Sequence, residues 1–216
     1  IVNLTINSGK TLTMNGANTL SSTGNLQVTG TLSVGTATGA ISISGSTAVS
    51  GTLALGASNF TCSGTTTVSS GGTISDATNG GTNTYVGLLT VNSGATYSCA
   101  STSNNEYRGG INNAGTFSKA GSGNIVFTNT NTFTSSNSIT MAGAVTISGS
   151  TTFSVSPLLT FSGNIAVNAS SNIASSKALT VTGTTTIASG VVFTNNGTAT
   201  LTGALNGANA ASNWIN

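Results

Sequence analysis

The chain carries few groups that could do chemistry. Its charged side chains are Lys10, Asp76, Glu106, Arg108, Lys119 and Lys177, it has two cysteines, Cys62 and Cys99, and it has no histidine. Cutting a glycosidic or acyl bond needs carboxylates, or a nucleophile and its base, held close together. Asp76 and Glu106 are 30 residues apart and fall at different offsets of neighbouring sequence units, which puts them on different sides of a coil. Glu106 and Arg108 alternate in "NNEYRGG", the spacing of a local ion pair. A metal site needs ligands at matched spacing, and neither a Gly-Gly-x-Gly-x-Asp repeat nor a close Cys pair supplies one. No catalytic residue, cofactor or metal is therefore expected, and the chain reads as a non-enzyme.

Composition narrows the partners in the same way. The 216 residues carry a net charge of +2, with 3% of positions charged and 37% hydrophobic. No basic cluster exists to neutralise a phosphate backbone, so nucleic acid is not an expected partner. Gly, Ser, Thr or Asn breaks every apolar run well short of the roughly 20 residues that span a bilayer. The chain starts at Ile1, consistent with a removed leader or with a piece of something longer, and export is inferred from composition. Four sequons, at Asn3, Asn59, Asn168 and Asn196, leave glycosylation open.

What the sequence does supply is repetition. "LTINSGKTLTM" at residues 4–14 returns at 89–99 as "LTVNSGATYSC", and equivalent units start at 4, 26, 47, 66, 89, 111, 133, 153 and 173. Eight residues into each unit stand Leu12, Val34, Leu55, Ile74, Tyr97, Lys119, Met141, Phe161 and Val181, large and apolar but for Lys119, where Phe117 is expected to fill the core instead. One residue earlier stand Thr11, Ser33, Ala54, Thr73, Thr96, Ser118, Thr140, Thr160 and Thr180, hydroxyls but for Ala54. Adjacent columns of opposite character mark a half-buried strand. Leu4 with Ile6 opens a first strand of this kind and Ile41 with Ile43 exemplifies a third, with Ser-Gly, Asn-Gly and Thr-Gly pairs at the corners between them.

A meander of hairpins has no reason to repeat its inward columns every 19–23 residues, whereas stacked coils do. The expected fold is all-β, a single-chain β-solenoid of about ten rungs of ~20 residues, three short strands per rung, forming a rod roughly 45–50 Å long. Residues 1–205 would form the repeats and 206–216 a tail, cap or inter-subunit joint. The two cysteines lie on different strands almost two rungs apart, about 9.6 Å along the axis. That exceeds the roughly 7 Å limit for bridged Cα atoms, which leaves two buried thiols or an intermolecular bridge.

Low-charge units of the "LTVNSGATL" type resemble the β-helices of filamentous-haemagglutinin-like adhesins and autotransporter passenger domains. The resemblance rests on repeat grammar over nearly the whole chain. It implies a right-handed parallel β-helix and a cell-surface setting, and it carries over no functional residue.

No charged, proline-rich or helical cap is evident at either end, so the ends read as joining surfaces. The expected function is structural: an extracellular, self-assembling protein whose copies stack head to tail into a filament or sheath on the cell surface. Leu4, Ile6, Leu201 and Trp214 are the candidate contacts. The alternative is a segment of a surface adhesin that binds carbohydrate or a protein of a host or neighbouring cell. A third reading is ice binding by the outward hydroxyl column, matched at Thr11 with Thr13 and at Thr180 with Thr182. Gly35, Gly56, Ser75, Ser98, Ala120, Ala142 and Ser162 hold the second position between them, a smooth face rather than a two-Thr grid.

Overall fold

The computed structural model describes residues 1–34, 39–77, 80–207 and 213–215. They form a β-solenoid of three parallel sheets, and each rung contributes one short strand to each sheet in turn. Sheet 1 has 11 strands, and sheets 2 and 3 have 10 each. Rung 1 runs Leu4–Ile6, Thr11–Thr13 and Leu20–Ser22; rung 5 runs Leu89–Val91, Thr96–Cys99 and Asn104–Tyr107. The strands Leu205–Gly207 and Asn213–Ile215 extend sheets 3 and 1, so the tail from 206 onward joins the stack wherever it is described. Among the described residues no helix is long and apolar enough to cross a membrane.

Period-two alternation is what makes these segments strands. Leu26 and Val28 point inward and are buried while Gln27 is exposed, and the pattern holds from rung to rung. At the corners the ladder must turn, and side-chain amides take over part of it. Asn3 Oδ1 accepts the Asn25 N–H, Asn25 Oδ1 accepts the Ser46 N–H, and Asn104 Oδ1 accepts the Asn124 N–H. Corners also pack backbone on backbone. A Cβ on Gly121 would run into the Ser101 carbonyl of the rung below, which excludes any other residue there.

The unit starts read from the sequence are register partners in the structure, from Leu4 opposite Leu26 through Phe153 opposite Ile173. The second column needs correction. Leu12 pairs with Leu32 rather than Val34, and Leu32 pairs with Leu53 rather than Leu55. Residues 7–10 link the first two strands of rung 1, whereas Thr29 and Gly30 suffice in rung 2, so a fixed count of eight overshoots by two. A slip of two keeps the same face inward, which hides it from a burial pattern.

All seven Phe, the three Tyr and the Trp share one unbroken set of ring contacts inside the solenoid. It starts at Phe60 and Tyr85, 5.6 Å apart, and ends at Phe193 and Trp214, 5.0 Å apart.

Candidate functional site

Three regions stand out: the outer face of sheet 2, the terminal rungs, and a polar seam inside rungs 4–6. On sheet 2 the true register stacks Thr11, Thr31, Thr52, Thr73, Thr96 and Thr116 in one outward file. A second file two residues on holds Thr13, Ser33, Ala54, Ser75, Ser98 and Ser118. Ser118 stands beside Thr140, since Lys119 pairs with Met141, and the file continues through Thr160, Thr180 and Thr200. The eight outward residues anticipated from the sequence do face out, but they belong to two files rather than one. Ser33, Ser118, Thr140, Thr160 and Thr180 lie in the second file, while Thr31, Thr52 and Thr116 of the first were missed. Gly35, counted against a two-Thr grid, lies outside the described residues, and Gly56 lies in the corner after Leu55. Over rungs 1–6 the face is therefore a grid of hydroxyls about 4.8 Å apart across strands and about 7 Å apart along them, with one gap at Ala54.

At the ends, apolar side chains meet solvent. Leu12, expected in the core, is 36% exposed because among the described residues Thr11–Thr13 is the edge strand of sheet 2, and Ile1 and Val2, which lie along Leu20–Ser22, are more exposed still. At the far end Leu205 and Ile215 are each 47% exposed. Among the described residues Leu88 is the one large apolar side chain exposed to this degree away from the ends. Of the anticipated joint residues, Leu4, Leu201 and Trp214 are half-buried, while Ile6 is already buried in its own rung.

The seam occupies the interior at the corner between sheets 2 and 3. The strands Thr73–Asp76 and Thr82–Tyr85 of rung 4, the rung 5 strands, and Thr116–Lys119 of rung 6 deliver its members. Asp76, Cys99 and Lys119 are successive neighbours in one inward file. The Asp76 carboxylate accepts from Asn83 Nδ2 at 2.8 Å, Ser101 Oγ at 2.9 Å and Cys99 Sγ at 3.6 Å. Asn83 Nδ2 also reaches Asn105 Oδ1 at 3.3 Å, to which Tyr97 OH donates at 2.8 Å, and Tyr107 OH donates to Tyr97 OH at 3.2 Å. Lys119 was expected to leave the core to Phe117. Both are buried, with Lys119 Nζ donating to the Gly121 carbonyl at 2.9 Å, because a backbone acceptor inside the corner satisfies the ammonium.

Burial pushes the Tyr85, Tyr97 and Tyr107 phenols well above their ordinary values and raises the Cys99 thiol as well. The seam is sealed from solvent, so its carboxylate and thiol face no substrate. Outside it, Glu106 and Arg108 form the anticipated ion pair at 2.9 Å, and the Arg108 hydrogen bonds hold the Glu106 carboxyl below its usual range. Both cysteines are free and fully buried, Cys62 on sheet 3 and Cys99 on sheet 2, which removes the intermolecular bridge as long as the fold is intact. All four sequon asparagines are exposed.

Surface depressions follow the corner between sheets 1 and 2, where short links sit beside longer ones. One is lined by Ser93, Gly94, Thr116, Asn137 and the buried Phe117. No family model, curated protein or solved structure matches the chain.

Proposed function

We propose that the chain is a structural protein of the cell exterior, a β-solenoid rod whose copies stack end to end into a filament or sheath. The observation that carries this reading is the placement of exposed apolar groups: Ile1, Val2 and Leu12 at one end, Leu205 and Ile215 at the other. Each terminal rung also presents a row of backbone N–H and C=O groups that a further parallel rung would pair. Catalysis is not part of this reading, since Asp76 is sealed inside and Glu106 is tied to Arg108. Nor does the surface offer the stacked aromatic platforms that would favour a sugar-binding adhesin, because the Phe and Tyr rings all lie in the core.

Electron microscopy of the purified chain over a range of concentrations tests this. Filaments that lengthen with concentration are the expected result, and rods that stay at about 50 Å, the span of ten strand spacings, would sink it. Rungs of a longer chain could cover the same ends. Leu12→Lys with Leu205→Lys separates the cases, because it abolishes filaments only if copies of this chain meet at those ends.

A second reading rests on the hydroxyl grid of sheet 2. Six threonines on consecutive rungs present methyl and hydroxyl groups at fixed spacing, which suits an ordered water or ice surface. Thermal hysteresis that disappears with Thr52→Tyr and Thr73→Tyr is expected on this reading. Its absence from the unaltered chain ends it.

A further inference from the structure

Rungs of this solenoid are close to interchangeable, and two-residue slips between them keep apolar on apolar. Leu12 could pair with Val34 as readily as with its true partner Leu32, as far as burial is concerned. In rungs 7 and 8, Met141 of Ile139–Met141 stacks on Phe161 of Leu159–Phe161 and Val145 of Val145–Ile147 on Ile165 of Ile165–Val167, so the inward files of sheets 2 and 3 again set no penalty against such a slip; the buried polar Asn131, Ser135 and Thr151 of these rungs lie on sheet 1.

Rungs 4–6 differ. Asp76 of rung 4 takes Ser101 and Cys99 of rung 5, and Asn83 of rung 4 takes Asn105 of rung 5. Slipping rung 5 by two residues along sheet 2 would bring Tyr97 opposite Asp76 and carry Cys99 past it. The carboxylate would lose Ser101 and Cys99 with no water to replace them, since these side chains are 0–2% exposed. Paired buried polar groups add little net stability, whereas an unpaired one is costly. That asymmetry penalises wrong stackings far more than it rewards the right one.

We propose that the buried seam of Asp76, Asn83, Cys99 and Asn105 is a register key, which selects one alignment of rungs 4 and 5 from several that the apolar pattern allows. The rungs on either side then stack outward from an aligned centre.

Cysteine pairs on the outer face of sheet 2 read the register directly. Ser75 and Ser98 are opposite each other in the native alignment, while Ser75 and Thr96 become opposite only after a two-residue slip. In the native alignment the second pair is diagonal, about 7–8 Å apart, too far for a good disulfide. The keyless variant carries Asp76→Leu, Asn83→Ile, Cys99→Val and Asn105→Ile, residues of the kind the other rungs use. The control retains the seam with Cys99→Ser, and both carry Cys62→Val.

After refolding from denaturant and oxidation, the control is expected to cross-link as Ser75→Cys with Ser98→Cys and not as Ser75→Cys with Thr96→Cys. The keyless variant is expected to cross-link in both combinations. Native cross-linking alone in the keyless variant would overturn the proposal, as would slipped cross-linking in the control. Failure of the keyless variant to regain its β-sheet circular dichroism would overturn it too, because the seam would then hold the fold up rather than choose its alignment.

Discussion

Rungs 4–6 and rungs 7–8 share one backbone plan and differ in what they enclose. Where Met141 and Phe161 fill the inward file of sheet 2, the earlier rungs place Asp76, Cys99 and Lys119; where Val145 and Ile165 fill sheet 3, they place Asn83 and Asn105. Strand pairing is equally regular in both regions. Alternation and corner geometry therefore make the strands, and the identity of the inward residues does not. What those residues decide is how the interior responds to protons and substitutions, and that difference can be measured.

Alkaline pH should separate the regions most strongly, because all three tyrosines lie inside rungs 4 and 5. Burial raises their pKa values in the folded state, while the unfolded chain titrates near the ordinary value of about 10. Above that pH the unfolded state holds fewer protons than the folded state, so stability falls as pH rises. Each sealed phenol steepens the fall by about 1.4 kcal/mol per pH unit. The expected result is a cooperative loss of circular dichroism that coincides with the rise of phenolate absorbance, and replacing all three by Phe should move the loss to higher pH. Phenolate that forms at its ordinary pH in a folded protein would show that the seam is open to water.

Next in size are single substitutions in the two interiors. Phe153→Ala empties a site where Phe127, Phe133, Phe161 and Phe193 all meet the ring, and about 3–5 kcal/mol should be lost in denaturant titration. Asp76→Leu should cost less, about 1–3 kcal/mol, for another reason, since it takes an acceptor from Asn83 and Ser101 inside a sealed interior. Adding Asn83→Ile and Ser101→Ala should recover part of the second loss and none of the first. Equal rescue, or none in either, would erase the distinction between the regions.

Much of the fold was legible from the sequence. Leu4, Leu26, Leu89 and Phe153 recur in register because each unit must place one residue of its first strand over the last. The slip from Leu32 to Val34 was not legible, because corner links vary in length and a shift of two leaves the pattern of faces intact. The hydroxyl grid was hidden by the same slip. The seam left one visible trace, Lys119 in an apolar column. Asp76 looked like an outlying charge although the columns that align Ile74 with Tyr97 already set it level with Cys99, because nothing in the residue types says that this position turns inward. Asn83 and Asn105 gave no signal at all, since Asn is common at the exposed corners of this chain.

Finer tests follow within the seam and just outside it. Tyr97→Phe removes the donor to Asn105 and the acceptor of Tyr107, and about 1–3 kcal/mol should be lost. On the outer surface of the same rung, Glu106→Gln should cost less than about 1 kcal/mol, because the Arg108 side chain is 42% exposed and water screens the pair. Its sign with pH is opposite to that of the tyrosines. The Arg108 hydrogen bonds lower the Glu106 pKa, so the pair contributes above the unfolded carboxyl value of about 4.3 and that contribution fades as pH falls through the folded value. Unfolding of the parent and of Glu106→Gln should therefore differ slightly at neutral pH and converge in acid, and the difference should shrink in high salt. A gap that persists in acid would mean that Glu106 acts through its hydrogen bond from Thr128, at 3.1 Å, rather than through its charge.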